Sequence, residues 1–185
     1  MTVKIGVLGG IGPDATAEFY SKLITKLKMD NKIKANRDFP QIIINSIPAP
    51  ELVYDEISED EIKPYVQGLA ELDKTSPDFI AMVCNTIHLY YESLQKEITT
   101  PIIDLRKEVM EFILNSGIES ALILGTQNTI KGGLYKFGGI KYFEPNLDEM
   151  SRLSRAIFDF NRGFRAQNQI NITREICSKY LWYGS

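Results

Sequence analysis

Phe79-Ile80-Ala81-Met82-Val83-Cys84-Asn85-Thr86-Ile87-His88 is the stretch that decides the fold of this chain. Five apolar residues without a charge read as a buried strand. Cys84, Asn85 and Thr86 form the turn, and Ile87 to Lys96 has helical spacing. A buried strand running straight into a helix is half of a βαβ unit, which builds parallel sheets covered by helices. A cysteine at that junction is placed to become a thiolate, because a helix N-terminus offers partial positive charge and unpaired N–H groups. Asn85 and Thr86 set an amide and a hydroxyl beside the same turn, suited to holding a carboxylate.

The segments on either side repeat this plan. Val3–Leu8 is predicted as a buried strand and Gly9-Gly10-Ile11-Gly12-Pro13 as a tight turn, with Pro13 at a first helical position. Ala15, Phe19, Leu23, Ile24 and Leu27 then recur at helical spacing. Gln41–Asn45 is the next strand, Ser46-Ile47-Pro48-Ala49-Pro50 a rigid loop, and Glu59–Lys74 a helix that tolerates Pro64 only near its start. Asp55 and Glu56, with Glu59–Glu61, read as a solvated helix start. Pro101–Asp104 is a short strand, so the first half predicts a parallel sheet in βαβαβαβ order.

Downstream, Leu105–Asn115 is a helix closed by Gly117, Ala121–Leu124 a strand, and Gly125-Thr126-Gln127-Asn128-Thr129 a small-residue turn. Ile130–Phe137 is a helix, Ile140–Phe143 a strand, and Leu147–Arg162 and Ile172–Leu181 are helices. Val3–Pro13 and Ala121–Thr129 share one plan, which reads as an internal duplication. The expected domains are residues 1–104, carrying Cys84, and residues 105–185.

Bulk properties narrow the function. The 185 residues are 44% hydrophobic and 24% charged, as in an ordinary globular protein. A net charge of −3 argues against nucleic acid or an anionic membrane as main partner. No apolar run is long enough to span a bilayer, the N-terminus reads as a strand and not a signal peptide, and a cytoplasmic location is expected. Two cysteines in unlike settings make no disulfide framework, and a single histidine makes a zinc site unexpected. The glycines of the first turn invite a nucleotide-binding reading, but their spacing is not G-x-G-x-x-G, and Asn45-Ser46 stands where an acid would follow the second strand.

Gly9-Gly10-Ile11-Gly12-Pro13-Asp14-Ala15-Thr16, followed by Cys84-Asn85-Thr86-Ile87-His88, resembles the aspartate/glutamate racemase family of cofactor-independent, two-cysteine amino-acid racemases. Gly125-Thr126-Gln127-Asn128-Thr129, with Gly133-Leu134-Tyr135 behind it, resembles the motif that opens the family's second domain. The resemblance implies two similar Rossmann-like α/β domains facing across a cleft, no cofactor, and a small acidic amino acid as substrate. It implies that Cys84 exchanges the α-proton on one face. It implies that Asn85, Thr86 and Thr126 hold the α-carboxylate, that Gly10 and Gly12 line the pocket, and that Arg162 meets the distal carboxylate. His88, one turn beyond Cys84, is either a site residue or a packed histidine; the resemblance favours the site.

The sequence departs from the family in one respect. The second family cysteine lies in a Gly-Cys-Thr-Glu turn after a late strand, and no such segment occurs. The other cysteine, Cys177, falls inside the helical pattern Thr173–Lys179 and reads as a core residue. Leu181-Trp182-Tyr183-Gly184-Ser185 reads as a shortened C-terminus, leaving the second domain incomplete and a sheet edge that a homodimer would cover. Arg152, Arg155 and Arg165 read as surface residues beside Arg162. Two functions therefore stand: a racemase of aspartate/glutamate type, or a relative that binds a small carboxylate without inverting it.

Overall fold

The computed structural model describes residues 2–30, 33–52, 57–164 and 166–180. Asp55, Glu56, Arg165 and Leu181–Ser185 lie outside the described residues. The chain divides into two compact units, one of residues 1–50 and 57–103, the other of residues 51–56 and 104–185. Each is mixed α/β with a parallel sheet.

The first unit is built on β1 (Lys4–Gly9), which pairs in parallel with β2 (Gln41–Ser46) on one side and β3 (Phe79–Met82) on the other. Ile5, Val7 and Leu8 are buried, as a central strand requires. Helix α1 (Pro13–Met29) connects β1 to β2, and α2 (Glu59–Asp73) connects β2 to β3. A capping box starts α2: Glu61 N–H donates to Ser58 Oγ, and Glu61 carboxylate accepts from Ser58 N–H at 2.8 Å. The helix runs on through Pro64 and buries Tyr65, Leu69 and Leu72. A Cβ on Gly68 would stand 2.8 Å from Leu8 Cδ1 and 2.9 Å from Ile47 Cγ2, so a residue without a side chain lets α2 lie against the end of β1. Tyr65, fully buried, donates its hydroxyl to Pro50 O at 2.6 Å and ties down the proline loop.

Two expectations for this unit change. Pro101–Asp104 is reduced to a single parallel bridge, Ile80 to Ile102, with Ile80 N–H donating to Pro101 O and Ile103 N–H to Ile80 O. Proline at the first position removes one donor, and the chain turns into the next helix directly afterwards. The helix expected over Ile87–Lys96 is a 3₁₀ turn, Thr86–Tyr90, followed by a short α3 (Tyr91–Lys96).

The second unit begins with α4 (Leu105–Asn115), capped by Asp104, whose carboxylate accepts from Arg106 N–H and also pairs with the Arg106 guanidinium at 2.8 Å. Gly117 follows its end with φ +65°, the left-handed residue expected there. Strands β4 (Ser120–Leu122) and β5 (Lys141–Phe143) pair in parallel, with α5 (Gln127–Lys131) between them. Helix α5 starts earlier and is shorter than the predicted Ile130–Phe137, because Thr126 caps it and Gly133, at φ +65°, ends it. Ile123, Ile130 and Met150 form the core, with Tyr135 and Tyr142 against it.

Helices α6 (Leu147–Asn161) and α7 (Ala166–Tyr180) complete the unit. Helix α7 begins six residues before the predicted Ile172, its first turns being too polar to show a periodic stripe. Charge fastens it to α6. Arg152 forms a two-pronged pair with Glu175 (2.6 and 3.1 Å), and Lys179 Nζ lies 3.0 Å from Glu149 Oε1. The Tyr180 hydroxyl lies 2.8 Å from Glu149 Oε2, and Asn146 N–H donates to the same oxygen at 3.0 Å.

The Tyr180 hydroxyl first, then Asn146 N–H and Lys179, hold the Glu149 carboxyl below its ordinary value. A depressed folded-state value gives stability that is complete above the ordinary glutamate range and lost as pH falls through the folded value. Amide exchange in α7 should therefore accelerate on acidification before exchange in α6. Glu149→Gln should reproduce that loosening at neutral pH, at a cost of about 1–2 kcal/mol in urea unfolding. Equal protection of α7 in both proteins would refute the role.

Candidate active site

Parallel pairing puts the ends of β1 and β3 side by side: Leu8 is opposite Met82, and Val83 N–H donates to Leu8 O at 2.9 Å. The glycine turn after β1 and the Cys84 turn after β3 thus leave the same carboxyl edge of the sheet, where open α/β sheets place their ligands. The structure brings Cys84, Asn85, Thr86, His88, Gly10 and Gly12 to this edge of the first unit. Thr126 and Arg162 belong to the second unit.

The glycine turn is shaped by backbone contact. Gly10 has φ +87°, and a Cβ there would stand 2.2 Å from Ile47 O and 2.6 Å from Ile47 N. Gly12 (φ +88°) starts α1 without a side-chain cap, and Pro13 occupies the first helical position. Thr16, the last residue of the glycine motif, has no role that the motif itself assigns, but it braces this turn. Its buried hydroxyl accepts from Gly10 N–H at 3.0 Å, and its methyl group fills the space where a Gly9 side chain would be. The signal was available as a lone threonine one turn into a helix that starts with glycine and proline.

Cys84 is half-buried as a residue. Its sulfur accepts from the backbone N–H groups of Ile87 and Thr86, which favour the thiolate, but dehydration by the surrounding protein is the larger influence and pushes the thiol above its ordinary value. This corrects the expectation of a ready thiolate. The element behind the turn is one 3₁₀ turn, so two N–H groups act in place of a full helix dipole.

His88 is 1% exposed. Its Nδ1 lies 2.8 Å from Cys84 O. A carbonyl only accepts, so Nδ1 carries the proton in this bond. His88 N–H also donates to Asn85 O at 3.0 Å. Thr86 is buried and Asn85 exposed at the turn.

In the second unit, Thr126 Oγ1 accepts from Thr129 N–H at 3.2 Å and meets Thr129 Oγ1 at 3.1 Å, so the hydroxyl also serves as a helix cap. Ser154, fully buried, accepts from Gln127 N–H at 2.9 Å and steadies the same turn. Arg162 follows the last turn of α6, exposed, with its guanidinium over the rings of Phe158 (5.1 Å) and Phe164 (5.4 Å). Cys177 is half-buried on α7 and lines an apolar groove of about 510 Å³ between α6 and α7; the core position is its neighbour Ile176. Among the described residues no cluster of His, Cys, Asp and Glu is arranged to hold a metal ion, and no helix is long and apolar enough to cross a membrane.

The first unit is thus a parallel α/β unit that carries a cysteine turn and a glycine turn on one sheet edge. The sequence matches the Asp/Glu/Hydantoin racemase family over residues 8–159, and the chain belongs to that family. The broad specificity amino-acid racemase RacX of Bacillus subtilis (strain 168) is 35% identical over 133 residues, which are 71% of this chain and 58% of the relative. The chain thus matches less than two thirds of that relative's length. The structure of PH1733, an aspartate racemase homologue from Pyrococcus horikoshii OT3, is similar with a TM-score of 0.70 at 29% identity, covering 98% of this chain and 81% of that one. The Picrophilus torridus aspartate racemase shares the fold (TM-score 0.73, 21% identity, 96% and 76% covered).

Gly10→Ala should lower stability by about 2–4 kcal/mol, since the new methyl group meets backbone and the conformation is left-handed. Urea unfolding checks this, and a loss under about 0.5 kcal/mol would contradict the close approach to Ile47.

Proposed function

We propose that this chain is an amino-acid racemase of aspartate/glutamate type that works without a cofactor, with Cys84 exchanging the α-proton. The observation that carries this reading is the Cys84 turn itself: a thiol at the carboxyl edge of a parallel sheet with two backbone N–H groups on its sulfur.

The chemistry follows from that setting. An α-proton beside an ionised carboxylate is very weakly acidic, so the base must be strong when it acts. A dehydrated thiol is seldom ionised, but its thiolate is correspondingly basic. Once its own proton has passed to solvent, the thiolate takes the α-proton, an S–H bond forms, and the electron pair of the broken C–H bond passes into the carboxylate as an enediolate. Asn85 and Thr86 are the first-unit groups assigned to that carboxylate, with Gly10 and Gly12 lining the pocket. Thr126 and Arg162 are the ligands assigned to the second unit. Arg162 stacks through its faces, which leaves its N–H edges as the groups that meet a carboxylate. Inversion then requires a proton on the opposite face.

One observation favours a second reading, a carboxylate-binding relative that does not invert its ligand. The chain has two cysteines, and the second, Cys177, lies mid-helix against an apolar groove instead of on a strand-end turn. Incubation of L-aspartate and L-glutamate with the protein in D₂O, read by proton NMR and by chiral analysis, separates the two. Exchange with inversion is expected, and Cys84→Ala should abolish it. Exchange without inversion would mean that Cys84 works alone on one face. Absence of exchange with both substrates would favour the binding protein.

We further infer a homodimer. Ile44 on edge strand β2 and Tyr20 on α1 are exposed, and Phe19, Leu23, Ile24 and Leu27 are only half-buried. Light scattering should give twice the chain mass of 21.0 kDa, and a monomer would refute the inference.

A further inference from the structure

We infer that His88 is a positioning residue: by donating Nδ1–H to the Cys84 carbonyl, it holds the turn in which the N–H groups of Thr86 and Ile87 meet the Cys84 sulfur. This rests on Cys84 being the reactive thiol, but its tests need no turnover.

The geometry is closed and local. The imidazole comes back 2.8 Å from the carbonyl of the residue four positions earlier, and the His88 amide donates to Asn85 O. Both bonds therefore tie the 3₁₀ turn Thr86–Tyr90 to the two residues before it, Cys84 and Asn85. The two N–H groups that reach the sulfur lie inside that tied segment. Among the described residues, the influences on the thiol are dehydration and these two amides, with no charged side chain. The amides are thus what opposes dehydration, and their aim depends on the turn. A 3₁₀ turn of five residues has poor hydrogen-bond geometry of its own and gains from an external brace. The bond to the carbonyl also polarises the Cys84–Asn85 peptide towards the turn. A packed histidine with no part in the site would need Nδ1–H only to satisfy burial. A positioning histidine must also alter the ionisation of Cys84.

The chain has one histidine, so its imidazole signals need no assignment. Long-range ¹H–¹⁵N correlation of the full chain at neutral pH should show the Nδ1–H tautomer. A bare Nδ1 with the proton on Nε2 would overturn the inference.

The second measurement is the pH profile of iodoacetamide alkylation of Cys84 in a Cys177→Ser background. His88→Leu keeps the apolar bulk and removes the donor. Asn Nδ2 stands at the place of His Nδ1, so His88→Asn keeps the donor without a titrating ring. His88→Leu should slow alkylation about tenfold at mildly alkaline pH, equivalent to a rise of about one pH unit in the midpoint, and the difference should vanish once both thiols are ionised. His88→Asn should stay close to the unsubstituted profile. Coincident profiles for His88→Leu and the parent would overturn the inference, as would a His88→Asn profile displaced as far as that of His88→Leu. If His88→Leu does not fold, the tautomer decides. Absence of α-proton exchange alongside the expected tautomer and profiles would sink the racemase reading and leave the role of His88 intact.

Discussion

Strand β1 is hydrogen-bonded on both sides, and the rest of the first unit follows from that constraint. A strand with neighbours on both edges and helices on its faces has no solvent to satisfy its backbone, so its partners must match it residue for residue. Gly9 lies opposite Ser46, and Leu8 lies opposite Met82, so both neighbours end within one residue of the end of β1. At that common edge the backbone crowds. Gly10 lies on the backbone of Ile47, and Gly68 lets α2 rest on Leu8. Side chains are excluded from these two places, and the space is given to the turns that carry the proposed chemistry.

The chemistry at that edge is a balance between two opposed influences on one sulfur. Dehydration favours the neutral thiol, and two amides favour the anion. Dehydration is the larger of the two and raises the thiol above its ordinary value. That outcome suits proton transfer in both directions, because a resting thiol can deliver a proton, whereas the thiolate that forms from it is a strong base. A fully stabilised thiolate would be plentiful and weakly basic, and it would remove an α-proton slowly. The threonines of the two units illustrate how little architecture such turns require. Thr16 packs on Gly9, the last residue of β1, and Thr129 packs on Gly125, just beyond β4, each a helix residue filling the space over a glycine.

The parts of this structure that were legible in the sequence are those fixed by local chemistry. Pro13 at the start of α1, Gly117 after α4 and the apolar run of β1 each have one physical reading, and the structure agrees with it. The parts that were not legible depend on neighbours distant in the chain. Ile102 meets β3 through a single bridge, since proline cannot donate and Asp104 is already committed to capping α4. Asn45, where a nucleotide-binding sheet keeps an acid, donates its amide to Gly68 O and the Glu71 carboxylate, a structural task invisible in the strand pattern. The balance at Cys84 is illegible in the sequence for a similar reason. The turn residues announce the N–H groups, but dehydration is set by everything packed around the sulfur. The family resemblance assigns Thr126 to the substrate carboxylate, and its second duty as a helix cap is visible only with the position of α5.

The charges that fasten α7 to α6 also act as a key for alignment. Along α6 the order is Glu149 then Arg152, and along α7 it is Glu175 then Lys179. In the antiparallel arrangement each meets its opposite, Arg152 with Glu175 and Glu149 with Lys179. Sliding α7 by one turn in one direction would bring Glu175 against Glu149, and in the other it would bring Lys179 against Arg152. Either slip exchanges an attraction for a like-charge repulsion, which excludes a wrong partner position more firmly than apolar contact alone. The groove between these helices is apolar and would accept several offsets; four charges select one of them.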